Sequence, residues 1–226
     1  MSVFPFMQKI DEKSFLVIGS GAIARRKVRL LLQFTDQIVL VTHPRQDLPF
    51  SQNQIIHDEL EAFSDRGVII LDRMFDPDDL TNADFCIASC DDQLKNSEIA
   101  SLCQSLNVPV NVPDNPDICT FFLPSVIKRG NLVITVSTQG KSPAMSAGIR
   151  RRIEDILPDK TEEILDCLAG IRLWAPRIVS SSETRARLYK DLLNSLLDGS
   201  LEPCEEQVQA AAKAWLELKY TENGLQ

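Results

Sequence analysis

The stretch SFLVIGSGAIARRKVRLLL at residues 14–32 decides the fold. Ser14–Gly19 is an apolar run typical of a strand buried on both faces, and residues 22–34 have the pattern of a helix. Between them stands G-x-G-x-x-A, a variant of the dinucleotide fingerprint. In that motif Gly19 permits a tight turn, Gly21 lets the backbone approach a pyrophosphate, and the small Ala24 allows close packing of helix on strand. The pattern predicts a dinucleotide site at a helix N-terminus.

Further apolar runs on either side of helical patterns extend this unit. They predict strands at Gln37–Thr42, Val68–Leu71, Phe85–Ser89 and Val108–Val112. Helices are expected at 22–34, near 77–82 and at 92–106. Strands that alternate with helices predict an α/β fold, namely a Rossmann-type parallel sheet that is doubly wound.

The pattern changes from Cys119 onward. Two apolar segments, 119–128 and 131–138, flank the turn signal Arg129-Gly130-Asn131 and predict paired strands outside the first sheet. Helices are then expected near 143–157, 160–174, 181–197 and 203–220, the first of them capped by Ser142. We therefore predict a Rossmann domain at 1–113, a small β-rich segment for dimerisation or substrate at 114–148, and a helical domain at 149–226.

Charge is distributed unevenly along the chain. The net charge of −8 argues against a nucleic-acid partner. Residues 1–117 carry a balance of −8 and residues 153–226 one of −6, whereas 118–152 hold six basic residues and no Asp or Glu. Such a segment is suited to an anionic ligand, although a solvated or dimer-facing surface is the alternative. The candidate anion-binding residues are Lys128, Arg129, Lys141 and Arg150.

The cysteines and the ends of the chain suggest further expectations. Six cysteines occur without a Cys-x-x-Cys pair and with only two histidines, so we expect reduced structural thiols and no metal site. No apolar stretch approaches the roughly 18 residues of a membrane helix. The first residues lack a basic region followed by an apolar run, so no secretory signal and a cytoplasmic location are expected.

The fingerprint leaves the choice of cofactor open. The acidic residue expected about 20 positions on, which would bind the ribose 2′-hydroxyl, is missing from Val41-Thr42-His43-Pro44-Arg45. Arg45 would favour the 2′-phosphate of NADP, whereas backbone groups at His43 would hold the ribose of NAD.

Five motifs together carry a resemblance to one family. They are Gly19–Lys27, ASCDD at 88–92, NVPD at 111–114, FFLPS at 121–125 and STQGKSP at 137–143. On these residues the chain resembles the precorrin-2 dehydrogenase/sirohydrochlorin ferrochelatase family, the module that also forms the amino-terminal part of siroheme synthases. The resemblance covers about residues 1–200, and the later motifs are more diagnostic than the glycine turn.

The resemblance implies a function and a set of site residues. It implies a homodimer with exchanged strands, NAD as hydride acceptor, precorrin-2 as substrate, sirohydrochlorin as product, and Fe²⁺ as a second substrate if the chain also inserts iron as a lyase. Asp114 matches the family's central, catalytic acid, and Ser142 matches a phosphorylatable or substrate-lining serine. Cofactor contacts fall on Gly19, Gly21, Ala22, Ile23, Ala24, His43, Pro44, Ser89 and Asp91.

Some positions depart from the family, and other interpretations remain. Relatives commonly have Val at the position of Pro113 and Ala at that of Asn115, and Asp114 could equally be a turn residue.

An NAD(H)-sensing regulatory module without tetrapyrrole turnover is the alternative function. A dehydrogenase for a small acid would need a catalytic His or Lys, and none is evident. Siroheme synthases continue into a methyltransferase domain, so this chain is expected to receive its substrate from a separate enzyme.

Overall fold

A computed structural model describes residues 3–42, 49–113 and 115–222. The chain forms two compact units, Met1–Leu123 and Pro124–Gln226. The boundary follows residue 123 rather than residue 113, and the strand pair and the helices after it belong to one unit. The division into three functional parts stays a prediction.

The first unit contains the predicted parallel sheet. Its five strands lie in the order β3-β2-β1-β4-β5. They are β1 (Phe15–Ile18), β2 (Ile38–Thr42), β3 (Ile69–Asp72), β4 (Phe85–Ala88) and β5 (Val110–Asn111). Each lies within or next to a predicted apolar run, so the predicted Rossmann-type fold is confirmed. From β1 the chain adds β2 and β3 on one side of the sheet and then β4 and β5 on the other. This switch in direction places a ligand crevice at the carboxyl ends of β1 and β4.

Helices cover both faces of this sheet. Alternate residues of β1 point to opposite faces: Phe15 and Val17 pack with α1 (Ala22–Leu31) and α2 (Phe50–Ser64), whereas Leu16 and Ile18 pack with α3 (Gln93–Ser105). The helix expected near 77–82 is a single 3₁₀ turn at Pro77–Leu80, begun by the Asp76 side chain.

The helix α2 was not predicted from the sequence. Its apolar residues Ile56, Leu60 and Phe63 follow the i, i+4, i+7 spacing of a helix face, and Phe63 is buried at 4 % exposure. The signal was therefore present but short, because most of the other residues of the helix are polar and the apolar Ile55 is exposed.

The second unit is a β-hairpin followed by helices. Strands β6 (Ser125–Arg129) and β7 (Leu132–Val136) pair antiparallel around Gly130, whose φ is +51°. The expected strand 119–128 was wrong in its first part. Residues 119–124 are not a strand, because Thr120 turns back to β5 and its N–H donates to the carbonyl of Val110 at 2.8 Å.

The four predicted helices of this unit are confirmed. They are α4 (Pro143–Ile156), α5 (Thr161–Trp174), α6 (Ser182–Leu197) and α7 (Glu205–Glu222). Ser142 caps α4 as expected, since its hydroxyl accepts from the N–H of Met145 at 3.2 Å. Helices α5, α6 and α7 enclose a core that includes Ile171, Leu188 and Ala212. Among the described helices, none combines the length and apolarity needed to cross a bilayer.

Candidate functional site

The glycine turn is wedged between the ends of three strands. Gly19 has a φ of +139°, and a Cβ added to it would lie 2.4 Å from the carbonyl oxygen of Ser89. Its N–H donates to the carbonyl of Val41 at 2.9 Å. The N–H and the hydroxyl of Ser89 both donate to the carbonyl of Ile18, at 2.8 and 3.1 Å. Only glycine fits here, and the turn is held rigidly at the crevice between β1 and β4.

The N-terminus of α1 is open toward this crevice. Gly21 precedes the helix and offers no side chain to cap it, and the first turn contains no acidic residue. The first N–H groups of a helix have no intrahelical acceptor and carry a partial positive charge, so they suit a phosphate. Ala22 and Ile23 are exposed, whereas Ala24 is fully buried against the sheet. A Cβ on Gly21 would lie 3.3 Å from Oδ1 of Asp91 and would fill part of the crevice.

Ion pairs fix α1 to α2 beside the turn. The Nε of Arg25 lies 2.7 Å from Glu59, and its Nη1 donates to the carbonyl of Ser20 at 2.8 Å. The same Glu59 carboxylate lies 3.0 Å from Arg29. Because Arg25 is bonded to both the turn and α2, it acts as a brace for the backbone that would face a ligand.

A cleft opens at the carboxyl edge of the sheet on the α3 face. Its volume is about 530 Å³. It is lined by Ile18, Gly19, Ser20, Val41, Arg73, Met74, Phe75, Pro77, Cys90, Asp91, Asp92, Lys95, Glu98, Ile99 and Leu102. Apolar side chains beside a glycine turn and a few polar groups are what a planar base and its ribose require.

One wall of this cleft is stiffened by a charged pair. Arg73 donates to both carboxylate oxygens of Asp79, at 2.5 and 2.9 Å, and Asp79 also accepts from the N–H of Asp76 at 2.9 Å. The hydrogen bond from Arg73 holds the pKa of Asp79 below its usual range. The segment from Arg73 to Asp79 is therefore held in place by its own hydrogen bonds.

The structure describes the residues on either side of Asp114, which itself lies outside the described residues. The Sγ of Cys119 accepts from the N–H of Val112 at 3.1 Å and lies 3.3 Å from the carbonyl oxygen of Asn115. Burial raises the pKa of the Cys119 thiol. This thiol thus ties together both flanks of the predicted catalytic loop, in keeping with the structural role expected of the cysteines.

The predicted anion-binding residues belong to the second unit. Arg150 contacts Glu154 at 2.5 Å, and Arg129 lies 3.6 Å from the same carboxylate. Glu154 stands just beyond the segment that lacked acidic residues, so two of its cations share a carboxylate in the folded chain. Lys128 is half-buried, and Lys141 is exposed in the turn before Ser142, which is itself the α4 cap.

The structure brings together part of the predicted cofactor site. Gly19, Gly21, Ser89 and Asp91 meet at one edge of the first unit, and Ala24 packs into the core beneath α1. Ser89 is only 6 % exposed. The role that the structure shows for its side chain is the hydrogen bond that links the end of β4 to β1. The predicted contacts His43 and Pro44 lie outside the described residues.

Several cleft residues were not foreseen from the sequence. Ser20, Thr42 and Asp72 line a second cleft of about 480 Å³ on the α1 and α2 face. Thr42 ends the predicted strand 37–42, and Asp72 directly follows the predicted strand 68–71, so the rule that ligands bind at carboxyl ends would have found them. Within the described residues, the exposed side chains of His57, Asp58 and Glu61 form a group. Each offers one nitrogen or oxygen atom that could ligate a metal ion, and these atoms lie within 4.8 Å of one another.

Two models of known protein families match parts of the chain. A model of the putative NAD(P)-binding family matches residues 6–125, and a model of the central part of sirohaem biosynthesis proteins matches residues 129–156. The siroheme synthase of Thioalkalivibrio sulfidiphilus is 29% identical over 225 residues, which cover 97% of this chain and 44% of that one. Siroheme synthase 2 of Aeromonas hydrophila subsp. hydrophila is 30% identical over 217 residues, which cover 96% and 43%. The chain thus spans less than half the length of these curated relatives.

A solved structure shares the fold. The protein described as SirC, precorrin-2 dehydrogenase, aligns with a TM-score of 0.67 and 20% identity, and the alignment covers 94% of this chain and 100% of that one. At this identity the likeness concerns the fold, and it extends through both the sheet and the helical region.

Proposed function

Because the chain belongs to the putative NAD(P)-binding family and carries the sirohaem central segment behind it, we propose that it oxidises precorrin-2 to sirohydrochlorin with NAD as hydride acceptor. The single observation that carries the proposal is the cradle at α1. Gly19 is locked against Ser89, and Gly21 leaves the helix N-terminus open. That cradle fits a pyrophosphate, and the adjoining apolar cleft fits a base.

The described residues can bind and orient such a cofactor. The first N–H groups of α1, at Ala22 and Ile23, would hold the phosphates. Asp91 lies at the Gly21 end of the cleft, where its carboxylate can accept hydrogen bonds from ribose hydroxyls. Bound NAD⁺ supplies the acceptor for the hydride that leaves the substrate.

The oxidation also releases a proton, and we assign Asp114 as its acceptor or as the group that orients the substrate. It follows β5, whose end lies at the carboxyl edge of the sheet where such sites form. The basic residues Lys128, Arg129, Lys141 and Arg150 would bind the carboxylates of the tetrapyrrole, with Ser142 beside them.

The assembly and location are part of the proposal. In the described chain β6 and β7 pair only with each other, so each has an open edge on which a partner's strand could add, and we infer a homodimer. All six cysteines are unpaired, which suits the reducing cytoplasm. Size-exclusion chromatography with light scattering tests the dimer, and a monomer at micromolar concentration would contradict it.

Turnover tests the activity. Purified protein with precorrin-2 and NAD⁺ should produce NADH and the absorption spectrum of sirohydrochlorin. Asp114→Ala should abolish turnover and retain NADH binding, whereas the matched change Asp117→Ala, at an exposed carboxylate on the neighbouring 3₁₀ turn, should keep both. Dinucleotide binding without any tetrapyrrole turnover would favour the NAD(H)-sensing module instead. Adding Fe²⁺ to the sirohydrochlorin product and following its absorption spectrum tests whether the chain also inserts iron.

A further inference from the structure

The second cleft begins at the glycine turn and runs over the outer half of the sheet. It shares Ser20 with the larger cleft, continues past Thr42 at the end of β2, and reaches Asp72 at the end of β3. Its opposite wall is formed by residues of α2, namely Asn53, Ile56, His57, Leu60, Glu61 and Ser64. A ligand held at the N-terminus of α1 therefore has room to extend toward β2 and β3.

The register of the sheet places a carboxylate where the fingerprint lacks one. Dinucleotide folds of this type usually carry an acidic residue at the end of the second strand, which accepts a hydrogen bond from the ribose 2′-hydroxyl. Here β2 ends in Thr42, but Thr42 pairs directly with Asp72 of the neighbouring strand. Adjacent strands lie about 4.8 Å apart, so Asp72 stands one strand away from the usual position. Both side chains line the same cleft.

The charges around this cleft disfavour an added phosphate. Among its described lining residues the ionisable side chains are His57, Glu61 and Asp72, with no Lys or Arg. The guanidinium of Arg25 lies near the turn but is bonded to Glu59 and to the carbonyl of Ser20, with a side chain only 15% exposed. A 2′-phosphate adds a charge of about −2. Two carboxylates nearby would repel it, whereas a 2′-hydroxyl can donate to either of them.

We propose that Asp72 is the specificity-determining residue that selects NAD over NADP, by standing in for the missing acid at the end of β2. This inference rests on the proposed dinucleotide site and deepens it. Arg45, which lies outside the described residues, represents the opposite preference that the sequence left open.

Binding of NADH and NADPH to the full chain, followed by nicotinamide fluorescence without tetrapyrrole, tests the inference. The wild type should bind NADH more tightly than NADPH. Asp72→Asn should tighten NADPH binding about tenfold at low salt, as expected for removing one charge near a dianion, and should change NADH binding much less. Asp65→Asn is the matched control, because Asp65 is an exposed carboxylate at the end of α2 and is not among the cleft lining.

Two results would overturn the inference: equal wild-type affinity for the two dinucleotides, or equal effects of the changes at Asp72 and Asp65. Failure of the proposed function is distinguishable from either of these. A chain that prefers NADH but never oxidises precorrin-2 would retain the specificity residue and lose only the assigned reaction.

Discussion

A Cβ built on Gly19 lies 2.4 Å from the carbonyl oxygen of Ser89, closer than any real Cβ contact, so the glycine turn and the end of β4 are fitted to each other. The two residues are far apart in the chain, yet Ser89 also donates twice to Ile18, the residue before the turn. The crevice between β1 and β4 is therefore a single rigid feature, and its parts should respond differently to substitution.

The substitution Gly19→Ala should destabilise the folded protein. The methyl group would meet backbone atoms that cannot rotate away, and the φ of +139° is strained for any L side chain. We expect the free energy of unfolding to fall by about 3 kcal/mol or more, which denaturant titration would measure. A variant as stable as the wild type would contradict the close approach.

The substitution Gly21→Ala should weaken cofactor binding without destabilising the fold. Its backbone is ordinary, with φ −75° and ψ 171°, and the added methyl would meet only the Asp91 side chain, which can move. We expect the melting temperature to stay nearly unchanged and NADH affinity to fall at least tenfold, because the methyl occupies the approach to the phosphates. Titration with NADH tests this, and undiminished affinity would remove Gly21 from the cofactor site.

The Arg73–Asp79 pair should give the fold an acid-sensitive element. The pKa of Asp79 is lowered, chiefly by the hydrogen bond from Arg73, so the ionised pair stabilises the folded state above the unfolded pKa of about 3.9. This contribution should disappear as pH falls through the lower folded-state pKa.

Urea titrations over a pH series would reveal that element. Asp79→Asn should be less stable than the wild type at neutral pH, and the difference should shrink below about pH 4. Asp78→Asn is the control, since Asp78 is an exposed neighbour in the same turn. Parallel curves for wild type and Asp79→Asn across the whole range would show that the pair does not contribute.

Cys119 should matter through its hydrogen bonds. Val112 is only 3% exposed, and its N–H donates to the Cys119 sulfur, so Cys119→Ala leaves a buried donor without an acceptor. We expect a loss of about 1–3 kcal/mol in the free energy of unfolding. Cys119→Ser supplies an oxygen at nearly the same place and should lose less. If alanine and serine behave alike, packing rather than hydrogen bonding is what the thiol provides.

Glu154 should oppose substrate binding. Its carboxylate is shared by Arg150 and Arg129, two of the cations assigned to the tetrapyrrole. Glu154→Gln should release them and tighten binding of the anionic product by a few fold in an absorbance titration, with a stability change below about 1 kcal/mol. Asp155→Asn removes the same charge from the next, exposed position. An equal gain in both variants would indicate a general charge effect rather than a site.

Much of the fold was predictable because its signals are local. The run into Gly19 and the helix after it identified the dinucleotide turn, and the Ser142-Pro143 cap marked the start of α4. The helix α2 was missed because only one narrow face of it is apolar, and residues 119–124 were misread as strand because their apolar character serves packing on β5 and β1. Composition alone does not distinguish those two uses of an apolar run.

The sequence by itself determined most of the strands and helices, the glycine turn and the location of the basic segment, since each depends on residues that are neighbours in the chain. Only the tertiary structure decided which groups meet: Ser89 with Gly19, Glu154 with Arg129, and Asp72 with Thr42. Pairing between strands and contacts between elements depend on how the chain returns to itself, and hydrogen bonds and charges act over a few ångströms of space rather than over positions in a sequence.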